Sequence, residues 1–111
     1  MGKFIISKRE NNDFQFNLKA GNGQIILTSQ GYASKASCEN GIESVKTHSQ
    51  DETKYERNTA KDGRTYFNLK AGNGQVIGTS QMYESENGME NGIGSVKHNA
   101  PSAFIEELKD S

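Results

Sequence analysis

Apolar and polar residues alternate along Phe14-Gln15-Phe16-Asn17-Leu18-Lys19-Ala20, which puts Phe14, Phe16, Leu18 and Ala20 on one side and Gln15, Asn17 and Lys19 on the other. A period of two is that of a strand buried on one face. The turn-forming run Glu10-Asn11-Asn12-Asp13 joins this segment to an opening strand at Phe4-Ile5-Ile6. Beyond it, Gly21-Asn22-Gly23 accepts the positive φ of a tight hairpin and leads into a third strand, Ile25-Ile26-Leu27-Thr28. The period then changes. Ser34 is an N-cap, and Cys38, Gly41, Ile42 and Val45 recur at helical spacing.

The same pattern is written a second time at an offset of 51 positions. Phe16 to Gln24 returns unchanged as Phe67 to Gln75, and 22 of the 31 positions between Phe16 and Lys46 are identical in the second copy. Lys61-Asp62-Gly63-Arg64 supplies the first turn after Tyr55, Val76-Ile77-Gly78-Thr79 the third strand, and Ser85, Met89, Gly92, Ile93 and Val96 the helix. The chain therefore reads as α+β: two tandem β3-α repeats, residues 3–48 and 54–99, sharing one antiparallel-rich sheet with exchanged helices packed on one face. Residues 1–111 are expected to form a single pseudo-twofold domain, since a half of about 50 residues is hard pressed to bury a sufficient core alone. In the tail, 100–111, Phe104, Ile105 and Leu108 have the spacing of a final helical turn capped by Ser102, with a frayed terminus as the other reading.

Two finer expectations concern packing. A three-residue hairpin loop pairs Leu18 with Ile26 and Phe16 with Thr28 on the core face, leaving Leu27 outward; a two-residue loop turns Ile25 and Leu27 inward. The first register is favoured because Ile26 recurs as Ile77 whereas Leu27 becomes Gly78. Glycine inside a helix costs about 1 kcal/mol relative to alanine, so Gly41 and Gly92 on the apolar stripe predict a helix backbone lying close against the sheet.

These segments resemble the YegP-like family, small bacterial and archaeal proteins of uncharacterised function that occur as single units and tandem duplications. The resemblance rests on Phe16-Asn17-Leu18-Lys19-Ala20-Gly21-Asn22-Gly23, Ile26 through Ser29, Tyr32 and Asn40-Gly41-Ile42 to Val45, with their second copies. It implies β3-α units whose strands join one sheet and whose helices are exchanged, so that this chain is a single-unit dimer fused into one polypeptide. It carries no activity and no catalytic residue with it. Gly88 and Gly94 depart from it, standing where alanine or polar residues are usual.

Composition narrows the chemistry. A net charge of −1, from 13 basic and 14 acidic residues, provides no global field for nucleic acid or an anionic membrane. No run approaches the roughly 20 apolar residues of a membrane span, and the N-terminus has no signal-peptide pattern, so the chain is expected in the cytoplasm, without membrane partners. Cys38, the one cysteine, aligns with Met89 on the helical stripe, as a small buried hydrophobe does. His48 and His98 are not equivalent, which argues for surface residues past helix ends instead of a metal pair. Gly21-Asn22-Gly23 precedes a strand, not the helix a phosphate cradle needs. Glu39 and Glu90 recur as solvated helix positions do.

No cofactor, metal or enzymatic activity is expected. The candidate interaction face is the sheet surface away from the helices, bearing Gln15, Asn17, Lys19, Tyr66, Asn68 and Lys70, beside Ile25, Leu27 and Val76. The expected function is a monomeric, non-enzymatic binding or interaction module for an unknown protein or small ligand. The alternative is a weak single-stranded nucleic-acid binder through Lys19, Lys70, Asn17 and Asn68.

Overall fold

In the computed structural model, which describes residues 2–108, the first repeat comprises β1 (Lys3–Lys8), β2 (Phe14–Lys19), β3 (Ile25–Thr28) and α1 (Lys35–His48). The second comprises β4 (Tyr55–Thr59), β5 (Thr65–Lys70), β6 (Val76–Thr79) and α2 (Glu86–Asn99). All six strands join one sheet with a seventh, β7 (Phe104–Glu107), in the order β4-β5-β6-β3-β2-β1-β7. Each repeat is an antiparallel meander, because its turns are too short to cross over. The β3-β6 seam between repeats is held by one residue pair, Thr28 opposite Thr79.

Local chemistry accounts for the turns and helix starts. Gly23 and Gly74 take φ of 85° and 86°, and the preceding Asn22 and Asn73 each accept a 3.0 Å bond from the amide two residues on. Ser34 Oγ accepts from the Ser37 amide at 3.1 Å and Ser85 Oγ from the Gly88 amide at 3.0 Å, so both expected N-caps form. The repeated Thr-Ser-Gln also has a mechanical role. Ser29 Oγ accepts from the Phe16 amide at 2.9 Å and donates to the Gln30 carbonyl at 2.8 Å, continuing the ladder where β3 ends, and Ser80 does the same for Phe67.

Both helices lie on one face of the sheet, and each spans the seam. Helix α1 packs on β2 and reaches over to β5 and β6, while α2 packs on β5 and reaches to β3. Phe4, Ile6, Phe16, Leu18, Ile42 and Val45 thereby share one core with Tyr55, Phe67, Leu69, Ile77, Ile93 and Val96. Tyr32 and Tyr83, bridged to Phe14 and Thr65, stack on Phe16 and Phe67 at 6.2 and 6.4 Å between ring centroids. Their Cζ atoms lie 2.7 and 2.6 Å from where a Cβ would stand on Gly41 and Gly92. The close approach expected at these glycines is thus made by tyrosines.

Two expectations are corrected. Leu18 pairs with Leu27, not Ile26, and a bulge between Leu18 and Lys19 lets Lys19 pair with Ile25. The extra residue turns both Ile26 and Leu27 inward, so Leu27 is fully buried and contributes nothing to the open face. A methyl on Gly78 would lie 2.6 Å from Leu27 Cγ, so the two equivalent positions share one space at the seam and only one can hold a large side chain.

The tail is the second correction. Phe104, Ile105 and Leu108 do not form a helical turn: Phe104–Glu107 is an edge strand, the one parallel member of the sheet among the described residues, aligned with Lys3–Ile6 of β1, and Leu108 follows it. Residues 109–111 of the expected tail lie outside the described residues. Pro101 sits in a 3-10 turn, Ala100–Ser102, that ends α2 and delivers the chain to the β1 edge. There Lys3 Nζ bonds Glu106 at 3.0 Å and Lys35 Nζ reaches Glu107 at 2.5 Å.

Candidate binding surface on the open sheet face

Alternation along β2 and β5 sends Phe16, Leu18, Phe67 and Leu69 into the core and leaves Gln15, Asn17, Lys19, Tyr66, Asn68 and Lys70 half-buried. The six fall into two groups of three, one on β2 and one on β5, with β3 and β6 between them. They do not converge on one point. Thr28 Oγ1 donates to Asn17 Oδ1 at 2.9 Å and Thr79 Oγ1 to Asn68 Oδ1 at 2.8 Å, while Gln15 Nε2 donates to the Ser29 carbonyl at 3.2 Å.

The repeats differ where symmetry would matter for charge. Glu56 accepts from Lys70 Nζ at 2.9 Å, Asn68 at 3.1 Å and Asn58 at 3.3 Å, and these bonds hold its carboxyl down at about 2. The equivalent residue in the first repeat is Ile5, so Lys19 has no carboxylate partner among the described residues. Lys19 pairs with Lys3 on one side and Ile25 on the other, and Lys3 with Phe104, giving the open face a row that runs from an exposed aromatic through two cations to an aliphatic residue.

Between the two groups lies a feature the strand pattern did not announce. Because β3 and β6 meet only at Thr28 and Thr79, their divergence opens a groove of about 500 Å³ lined by Ile25, Thr28, Ser29 and Gln30 and by Val76, Thr79, Ser80 and Gln81. The lining is four pairs of equivalent residues, of which three are identical. It contains hydroxyls, amides and two aliphatic ends, and no titratable side chain. The signal for it was the recurring Thr-Ser-Gln, which has meaning only once the two copies are known to meet at these residues.

Groups with potential reactivity lie elsewhere. Cys38 is a free, fully buried thiol, and burial together with Glu39 pushes it up to about 11. Tyr55 donates its hydroxyl to the Ser49 carbonyl at 2.7 Å, and burial raises it. His48 Nδ1 lies 2.8 Å from the Ser44 carbonyl one helical turn back, and His98 is exposed. Glu90 is held by Arg57, the counterpart of Ile6, so Glu39 and Glu90 do not form an equivalent pair. No three His, Cys, Asp or Glu residues among those described are placed to hold a metal ion.

The fold and this face define a class: a duplicated α+β protein with one continuous sheet, two helices on one side and a neutral groove on its pseudo-twofold axis. The domain of unknown function DUF1508 matches residues 10–56 and again 60–107. The chain belongs to this family, and it is similar to curated UPF0339 and YegP proteins. It is 53% identical over 107 residues to a UPF0339 protein of Acinetobacter baylyi, covering 96% of both chains, and 52% identical over 106 residues to YegP of Escherichia coli K12, again 96% of both. Among solved structures it is similar to the solution structure of a UPF0339 protein from Shewanella oneidensis, with a TM-score of 0.92 and 50% identity over 96% of this chain and 91% of that one. The solution structure of E. coli YegP, described as of unknown function, aligns with a TM-score of 0.94 and 51% identity over 99% and 95% of the two chains. The relatives' names carry no activity. No helix among the described residues is long and apolar enough to cross a membrane.

Proposed function

We propose that the protein is a non-enzymatic binding or interaction module that engages its ligand through the open sheet face, centred on the groove between β3 and β6. The observation that carries this reading is the groove itself: about 500 Å³ on the uncovered face, lined by four symmetry-related pairs of neutral residues. Hydroxyls and amides suit recognition by hydrogen bonding, and the groove lining holds no titratable side chain that would activate a hydroxyl as a nucleophile. The ligand class that fits is neutral and elongated, with apolar ends for Ile25 and Val76. On this reading residues 1–111 act as one monomeric unit, with repeats at 3–48 and 54–99 and a tail from 100, and the single unpaired thiol suits the cytoplasm.

Amide chemical-shift mapping during a screen of neutral fragments and short extended peptides tests it. Shifts should converge on residues 25–30 and 76–81 and vanish in a Thr28→Lys/Thr79→Lys variant. Hits scattered over the surface, or none at millimolar concentration, would overturn it.

A single-stranded nucleic acid is the second reading, favoured by one observation: unpaired Lys19 stands in a row with Lys3 and exposed Phe104. Against it, Lys70 and Asn68 are already bound to Glu56. Salt-dependent retention on an immobilised oligonucleotide, lost in Lys3→Ala/Lys19→Ala, would separate it from the first.

A further inference from the structure

Strand β4 ends the sheet, and its outer edge carries no strand among the described residues. Its equivalent in the other repeat is β1, and that edge is filled: β7 runs parallel to it, with Phe4 opposite Ile105 and Ile6 opposite Glu107. The filled edge is secured from the helix layer, where Lys35, the first residue of α1, pairs with Glu107. At the vacant edge the residue equivalent to Lys35 is Glu86, the first residue of α2, and the one equivalent to Ile6 is Arg57. The charge presented by the helix layer is therefore reversed in sign, while Arg57, which stands opposite the anchoring position in the register, is itself held by Glu52 and Glu90.

We infer that the β4 edge accepts an added strand: an extended peptide of another protein, parallel to β4, with a Lys or Arg where β7 has Glu107. Three observations support the occupant. A recess of about 320 Å³ lies between this edge and the start of α2, lined by Arg57, Asn58, Thr65, Glu86, Met89 and Glu90, and it is where such a basic side chain arrives. The charges around it are acidic in sum: Glu52 and Glu90 are engaged with Arg57 and Lys97, which leaves Glu86 exposed and without an ion pair among the described residues. The strand geometry is one this sheet already makes, by main-chain pairing at its opposite edge. The chain's own β7, donated from a second copy, is disfavoured because Glu107 would face Glu86, and Arg57 opposite it is already engaged by Glu52 and Glu90. Natural sheets blunt such edges with charge or cover them, and here β1 is covered while β4 is not.

The surface differs from the groove on the open face, so this inference and the proposed function stand or fall separately. The test uses the full chain and two labelled peptides, acetyl-Ser-Ala-Phe-Ile-Thr-Lys-Leu-amide and the same peptide with Glu for Lys. Anisotropy titration should show saturable binding that favours the lysine peptide by about fivefold, the size of one surface charge contact changed in sign. Amide shifts should map to residues 55–59 and 86–90 and leave the groove residues unmoved. Glu86→Lys, an exposed change, should invert the preference. No saturation at millimolar peptide, shifts confined to residues 3–8 from displacement of β7, a preference indifferent to Glu86→Lys, or a dimer held through β7 would each overturn it.

Discussion

Leu27 and Gly78 occupy equivalent places in the two repeats, and the side chain of the first fills the room that a side chain on the second would need. They lie on the strands that meet at the pseudo-twofold seam, where two copies of one residue would approach each other directly. Fusing the repeats into one chain frees the two positions to differ, and a leucine with a glycine closes the gap that two leucines would overfill.

Gly78→Leu places a second isobutyl group against Leu27 and is expected to destabilise the fold by about 1–3 kcal/mol, the usual cost of overpacking. Leu27→Ala, which empties a fully buried site, is expected to cost about 2–5 kcal/mol. The exchange Leu27→Gly/Gly78→Leu should be far less damaging than the two single changes summed. Urea unfolding of the four proteins measures the coupling, and additive effects would refute the shared space.

The helix glycines divide by what faces them. Nothing lies within 4 Å of a Cβ built on Gly94, so Gly94→Ala is expected to stabilise by about 1 kcal/mol through helix propensity. On Gly92 the same methyl meets the Tyr83 ring, with Cζ at 2.6 Å, and Gly92→Ala is expected to destabilise despite the identical propensity gain. Thermal melts of the two variants should move in opposite directions. Adding Tyr83→Phe to Gly92→Ala should recover part of the loss, because the hydroxyl is the nearest obstruction.

Glu56 is the clearest source of acid sensitivity on the open face. Its carboxyl is ordinarily near 4.5 and is held at about 2 by Lys70, Asn68 and Asn58. A depressed native value means that its contribution is complete above the ordinary value and fades as pH falls toward the depressed one. Glu56→Gln should therefore lower the melting temperature at pH 7 and leave it equal to that of the unaltered protein near pH 2. A gap that persists at low pH would assign the effect to something other than ionisation. The counterpart change Ile5→Glu should strengthen acid sensitivity by giving Lys19 the partner that Lys70 already has.

What could be read from the residues followed from local rules. Phe16 and Leu18 alternate with Asn17 and Lys19 because one face of β2 is buried, and Ser34 and Ser85 cap helices because a first turn has free amides. The misreadings arose where the deciding partner is distant in sequence. The replacement of Leu27 by Gly78 in the second copy points Leu27 to the open face, yet the difference between the copies is itself the mark of a site on the axis. Phe104 and Ile105 suit a helical turn on spacing alone; the strand they form is selected by the free edge of β1, about a hundred positions earlier. The six polar candidates lie on the expected face, but the groove between them belongs to neither repeat and exists only after assembly.

The same seam predicts how the halves behave when separated. Residues 1–50 alone lose the β5 and β6 surface that α1 covers, the β6 neighbour of β3 and the seat of Leu27 on Gly78. Each large apolar side chain exposed forgoes about 1.5–3 kcal/mol, and a domain of a few dozen residues has little stability to lose. The fragment is expected to be unfolded when dilute, and any homodimer must bring two Leu27 side chains into the space that one fills. Residues 51–111 face the converse defect, with two Gly78 residues and a void. Mixing the fragments should restore helical circular dichroism and give a one-to-one complex in sedimentation, more stable than either homodimer, because only the mixed pair places leucine against glycine. A well-folded monomer of residues 1–50, or a homodimer as stable as the mixed pair, would contradict the packing at the seam.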